Sequence, residues 1–151
     1  MLVAQACEFH KRYPDGMPPP DRFKNPVVDD ALLEATLVHL RLLDDFLRSK
    51  GDPRSVRAQE WVSQHDWQPT KDWSKPEIPK RISQQVAHLS QQRDAWFEWD
   101  IRDYAHRCCR ELESFVGAVK RYRPDRSPAF AVIERRVADG LECLDPSRRR
   151  L

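Results

Sequence analysis

Between Phe97 and Tyr122 the apolar residues Phe97, Ile101, Tyr104, Cys108, Leu112, Phe115, Val119 and Tyr122 follow one another at steps of three or four. Only a 3.6-residue period sustains such spacing, so the stretch predicts one amphipathic helix of about 26 residues that stops before Pro124. Glycine occupies 4 of the 151 positions, hydrophobic residues make up 40% and charged residues 33%. That is the composition of a helical globular protein, not of a disordered tail or a strand-rich fold. A chain of this length reads as one domain able to bury roughly 68–70% of its unfolded surface.

Other helices flank this one. The first dozen residues form a short helix, and Pro14, Gly16, Pro18, Pro19 and Pro20 then impose an extended arm to about Pro26. From Val28 to Arg48, Leu33, Leu37, Leu40 and Leu47 make one helical row and Leu32, Thr36, His39, Leu43 and Phe46 the next. Asp29 and Asp30 suit the positive end of that helix, and Gly51 with Pro53 ends it. Residues 50–79 combine Pro53, Pro69, Pro76 and Pro79 with Trp61, Trp67 and Trp73, allowing one short helix near 54–64. Ile82, Val86 and Leu89 predict a helix from Pro79 to Gln92, and Phe130, Ile133, Val137 and Leu141 another from Pro128 to Leu144. The expected organisation is a short helix and proline-rich arm over 1–26, an all-α bundle over 27–145, and a basic tail over 146–151.

Net charge is +2. Arg148, Arg149 and Arg150 outweigh that by themselves, so the body is nearly neutral and lacks the basic surface of a protein that coats nucleic acid. No apolar run reaches membrane-spanning length, and the charges near the start follow its short apolar stretch, the reverse of a secretion signal. A cytoplasmic location is expected. Cys7, Cys108, Cys109 and Cys143 include no C-x-x-C pair and read as reduced, mostly buried thiols.

Phosphate-binding loops, dinucleotide fingerprints, nucleophile elbows and zinc spacings are all missing from the chain. No metal and no cofactor are expected. His39 reads as a core histidine bonded to a neighbouring helix or a carbonyl, with a site facing a groove as the alternative, and Glu34, Arg41, Asp45 and Arg48 as a solvated ladder of ion pairs. The tryptophans read first as packing groups that pin a long connection to the bundle.

KRISQQVAHLSQQR stands apart. Arg81 precedes His88 by seven residues, which on a helix leaves their side chains within ~20° of each other and ~10.5 Å apart along the axis. With His88 at 0°, Arg81, Gln84, Gln85 and Gln92 fall between about −40° and 60°, whereas Ile82, Val86 and Leu89 fall between about 100° and 160°. Arginine and histidine thus share a polar, glutamine-flanked stripe beside an apolar one. With 19 arginines and 5 histidines in the chain, about two R-x(4–6)-H spacings are expected by chance. The weight lies in the placement, early on a helix that follows a long loop in an all-α domain.

The succession DALLEATLVHLRLLDDFL, a tryptophan-bearing loop, RISQQVAHLSQQR and a long amphipathic helix resembles the HEPN superfamily (higher eukaryotes and prokaryotes nucleotide-binding), specifically uncharacterised bacterial members, over residues 27–122. The resemblance implies a four- to five-helix up-and-down bundle, often a homodimer. In catalytic members it implies a metal-independent endoribonuclease of the toxin or defence kind, with R-x(4–6)-H residues meeting across the dimer and an antitoxin or other protein as partner. Carried onto this chain, the catalytic residues are Arg81 and His88, with Ser83, Gln84, Gln85 and Gln92 placed to contact RNA. Active members often carry a polar residue directly after the arginine. Here Ile82 occupies that place and Ser83 the next, so the polar role falls to Ser83 or goes unfilled.

A reading of another class competes with this one, a non-catalytic helical interaction module that docks on a protein through the proline-rich arm and the tryptophan loop. It requires exposed rings at Trp61, Trp67 or Trp73. A DNA-binding role ranks last because the basic residues concentrate in a short tail.

Overall fold

A computed structural model of the protein describes residues 1–13, 24–48, 54–70, 82 and 100–145. Among them are four α-helices, α1 (Leu2–Arg12), α2 (Pro26–Leu47), α3 (Ile101–Tyr122) and α4 (Ala131–Leu144), and no strand. Short 3-10 turns occupy Ala58–Glu60 and Ser127–Phe130. The all-α class is therefore observed. The helix expected near 54–64 is reduced to the first of those turns, in a stretch that Pro53 and Pro69 bracket.

Local chemistry fixes the helix ends. Pro26 opens α2 at a position where its missing N–H is not needed, and the Asn25 side chain accepts a hydrogen bond from the Val28 amide at 3.3 Å. Asp100 caps α3 by accepting from the Asp103 amide at 2.9 Å. The carbonyls at the end of α4 are satisfied from another helix: Arg102 Nε donates to the Leu144 carbonyl at 3.1 Å and Nη2 to the Asp145 carbonyl at 2.5 Å.

Those contacts also set direction. Arg102, early in α3, meets the end of α4, while Lys120, late in α3, pairs with Glu134 near the start of α4. The two helices therefore run antiparallel. Val3 lies against Gly140 and Cys7 against Cys143, so α1 runs parallel to α4.

α3 buries more than the single stripe read from its sequence. Ile101, Cys108, Leu112, Phe115 and Val119 are buried as that stripe requires, and Ala105, Cys109, Val116 and Ala118 are buried beside them. The reason is its central position: α1, α2 and α4 all pack on it, so its covered face is wider than a helix with one neighbour needs. Phe115 is the hub. Its ring meets those of Phe46, Trp67 and Phe130 edge-on, with centroids 5.3, 5.2 and 5.5 Å away.

In α4 the buried stripe is turned from the expected one. Phe130 and Val137 are buried, but Ile133 is 40% exposed, and Gly140 and Leu144 face the interior instead. Gly140 is what permits this rotation. A Cβ there would lie 2.8 and 2.9 Å from the two γ-carbons of Val3 and 3.0 Å from Cys109 Sγ, so α1 closes on α4 only where no side chain intervenes.

The cysteine expectation needs correction. Cys108 and Cys109 are free and buried, but Cys7 and Cys143 form a disulfide with their Cα atoms 6.1 Å apart. The parallel docking of α1 on α4 brings these residues together across 136 positions of chain. No local spacing announces a pair so distant in sequence. The basic tail over 146–151 and the arm over 14–23 lie outside the described residues.

Candidate functional site

Arg81, Ser83, Gln84, Gln85, His88 and Gln92, the residues the sequence singles out, lie outside the described residues. Their neighbour Ile82 lies within them. It is helical and 3% exposed, a member of the bundle core. The apolar stripe expected for that helix thus has one observed member, in the expected conformation and facing the core.

The other residues weighed from sequence take structural places. His39 is half-buried with Nδ1 2.7 Å from the Ala35 carbonyl one turn back, a contact internal to α2. Arg41 pairs with Asp45 at 2.9 Å, as the ladder requires. Arg48 turns to Asp44 at 2.8 Å, one position short of the ladder. Trp67 is 9% exposed, and its indole N–H donates to Ser114 Oγ at 3.1 Å. Trp61 stacks edge-on against Phe130 at 5.0 Å, with the Arg126 guanidinium 5.6 Å from its ring centre. Glu111, buried on α3, accepts from the Thr70 amide at 3.0 Å. Residues 67–70 are therefore held on α3 by the Trp67 ring and the buried Glu111 carboxylate, while Trp61 packs on the turn that leads into α4. Trp73 lies outside the described residues.

A polar cluster that the sequence does not announce joins α1 to α2. Asp29 is fully buried, and its carboxylate accepts from Tyr13 Oη at 2.5 Å, Arg12 Nη1 at 2.8 Å and the Asn25 amide at 2.9 Å. Tyr13 Oη accepts in turn from the Lys24 amide at 2.8 Å, and Lys24 Nζ donates to the Arg12 carbonyl at 3.0 Å. Burial pushes the Asp29 carboxyl up. The bonds from Tyr13, Asn25 and Arg12 outweigh that effect and hold it below the usual carboxylate range. Burial, with Asp29 beside it, raises the Tyr13 phenol. From sequence Asp29 is only a charge at a helix end, because its side-chain partners Tyr13 and Arg12 lie 16 and 17 positions away with no period linking them.

These environments decide what the described helices can do chemically. A general acid or base works best with its pKa near the operating pH. Asp29 is moved down, Tyr13 up, and the two thiols up, with burial pushing Cys109 to about 11 and Cys108 well above its ordinary value. Each shift leads away from neutrality. A buried thiol so raised is not a nucleophile, and a carboxylate saturated with three donors is a brace. Among the described residues no group of three or more His, Cys, Asp or Glu side chains could hold a metal ion. Among them, too, no helix is long and apolar enough to cross a membrane.

Comparison with protein-family models, with curated proteins and with solved structures finds no match to this chain.

Proposed function

We propose that the chain is a HEPN-like protein acting as a metal-independent endoribonuclease of the toxin or defence type, a cytoplasmic homodimer in which Arg81 and His88 of two subunits meet at a cleft. Ser83, Gln84, Gln85 and Gln92 contact the RNA there, and an antitoxin or another protein restrains the activity. The observation that supports this reading is the burial of Ile82. On an ideal helix Arg81 and His88 stand ~100–120° around from that residue. A helix that turns Ile82 to the core has its arginine and histidine stripe at the edge of the core or beyond it, where a cleft between subunits can form.

The chemistry follows from the residue types. An imidazole titrating near neutrality takes the proton of a ribose 2′-hydroxyl, and the oxygen so freed attacks the adjacent phosphorus. The guanidinium stabilises the charge that builds on the phosphoryl oxygens, and the second subunit's imidazole returns a proton to the departing 5′-oxygen. The products are a 2′,3′-cyclic phosphate and a free 5′-hydroxyl. The competing docking reading needs an exposed indole ring; Trp67 is buried, Trp61 is half-buried beside Phe130 and Arg126, and Trp73 lies outside the described residues.

The test is digestion of a labelled RNA pool by purified protein in excess EDTA, with analysis of the product ends. Cyclic phosphate ends are expected. Cleavage that leaves 3′-hydroxyl ends, or that EDTA abolishes, contradicts the mechanism.

A further inference from the structure

The first and last described helices are joined covalently, and the surroundings of that bond differ at its two ends. Cys7 is 8% exposed within the core, whereas Cys143 on α4 is only partly buried at its edge. The two remaining thiols, Cys108 and Cys109, are both buried and both raised by burial, so neither competes for the pairing. α1 does not depend on the bond alone. Leu2, Ala6 and Phe9 lie in the core, and Arg12 and Tyr13 hold Asp29 of α2.

We propose that the Cys7–Cys143 bond is a reversible redox clasp, opened and closed by thiol–disulfide exchange that enters at Cys143, and that it sets how firmly α1 is held on α4. The proposal stands apart from the ribonuclease reading. In the opening direction the thiolate of a small dithiol attacks Cys143 Sγ, the sulfur of the less buried of the two residues. A mixed disulfide forms on Cys143, and Cys7 leaves as a thiolate that takes up a proton. The second thiolate of the dithiol then attacks its own sulfur in the mixed disulfide and releases Cys143, which is protonated in turn. Two electrons and two protons pass to the protein, and the dithiol becomes a cyclic disulfide. Because α1 keeps its apolar and Asp29 contacts, the open form stays folded and the reaction can run backward.

The experiment uses the full chain in two parts. Protein held in oxidised and in reduced dithiothreitol is unfolded, alkylated and weighed, and its melting temperature is taken in each state. Two alkylated cysteines are expected in the oxidised state and four in the reduced, with a melting temperature lower by roughly 5–15 °C on reduction. Four alkylated cysteines in both states, or melting temperatures equal within about 1 °C, overturn the clasp. In the second part oxidised glutathione is the probe. Cys7→Ser is expected to acquire an adduct on Cys143 at least ~10-fold faster than Cys143→Ser acquires one on Cys7. Equal rates, or the reverse order, overturn entry at Cys143.

Discussion

Two helical glycines of this chain should respond in opposite ways to the same substitution. Replacing a glycine inside a helix by alanine ordinarily gains about 1 kcal/mol, because alanine loses less backbone freedom on folding. At Gly117 a Cβ meets nothing within 4 Å, so Gly117→Ala should show that gain. At Gly140 the same atom arrives 2.8 and 2.9 Å from Val3 Cγ1 and Cγ2 and 3.0 Å from Cys109 Sγ, about 1 Å inside ordinary carbon contact. Val3 has no escape. Its two methyls are both struck, and a β-branched side chain in a helix has essentially one rotamer, so α1 itself must move. Overpacking of this kind costs about 3 kcal/mol at the severe end. Less the propensity gain, Gly140→Ala should lose about 2 kcal/mol. For a chain of this size thermal unfolding should shift by roughly +2 to +4 °C for Gly117→Ala and −4 to −8 °C for Gly140→Ala. A second substitution isolates the cause. Val3→Ala removes the methyls that are struck, so the double variant should be more stable than the two single losses sum to, with a coupling of ~1–2 kcal/mol. Gly140→Ala as stable as the parent protein, or a double variant that is merely additive, would refute the close approach of α1 to α4.

The Asp29 cluster predicts a window of pH. Asp29 is held below its ordinary value of 3.8, so its share of stability is present above that value and lost as pH falls through the lowered one. Tyr13 is raised above its ordinary 10.0, so its share is present below pH 10 and lost as pH rises through the raised value. Urea midpoints measured across the pH range should therefore flatten in acid for Asp29→Asn and in alkali for Tyr13→Phe, each relative to the parent protein. At neutral pH Tyr13→Phe should cost about 1–2 kcal/mol, since it leaves the buried Asp29 carboxylate short of a donor. Asp29→Asn should cost about 2–4 kcal/mol by the same assay, since it takes the charged acceptor from Tyr13, Arg12 and the Asn25 amide. Phe115→Ala should cost about 3–5 kcal/mol in chemical denaturation, because it empties the place where three aromatic rings converge.

Periodicity made the long helices legible. The α3 stripe from Ile101 to Val119 is buried except for the half-buried Tyr104, while its last member Tyr122 is exposed. The leucine row of α2 is buried, and proline and glycine mark the helix ends within a few residues. What the sequence could not show is where one helix rests on another. Ile133 fits the α4 spacing as well as Leu144 does, and only the approach of α1 over Gly140 decides which of them is buried. The Cys7–Cys143 bond and the grip of Arg12 and Tyr13 on Asp29 fail for the same reason. Both are contacts between segments that no period relates. Trp61 and Trp67 are large rings that pin a connection, a role their residue type makes legible in the sequence. No residue of the candidate site lies among the described ones; its neighbour Ile82 does, and it is buried as its place in the apolar stripe requires.

The most direct test of the proposed activity is a comparison of RNA cleavage by the parent protein, Arg81→Ala and His88→Ala in excess EDTA, after circular dichroism has shown all three to be equally helical. The account predicts cleavage by the parent protein and a loss of at least ~100-fold in each variant, the range that removal of a general base or of a charge-stabilising group produces. Undiminished cleavage by either variant, or a parent protein that leaves every RNA in the pool intact, would contradict it.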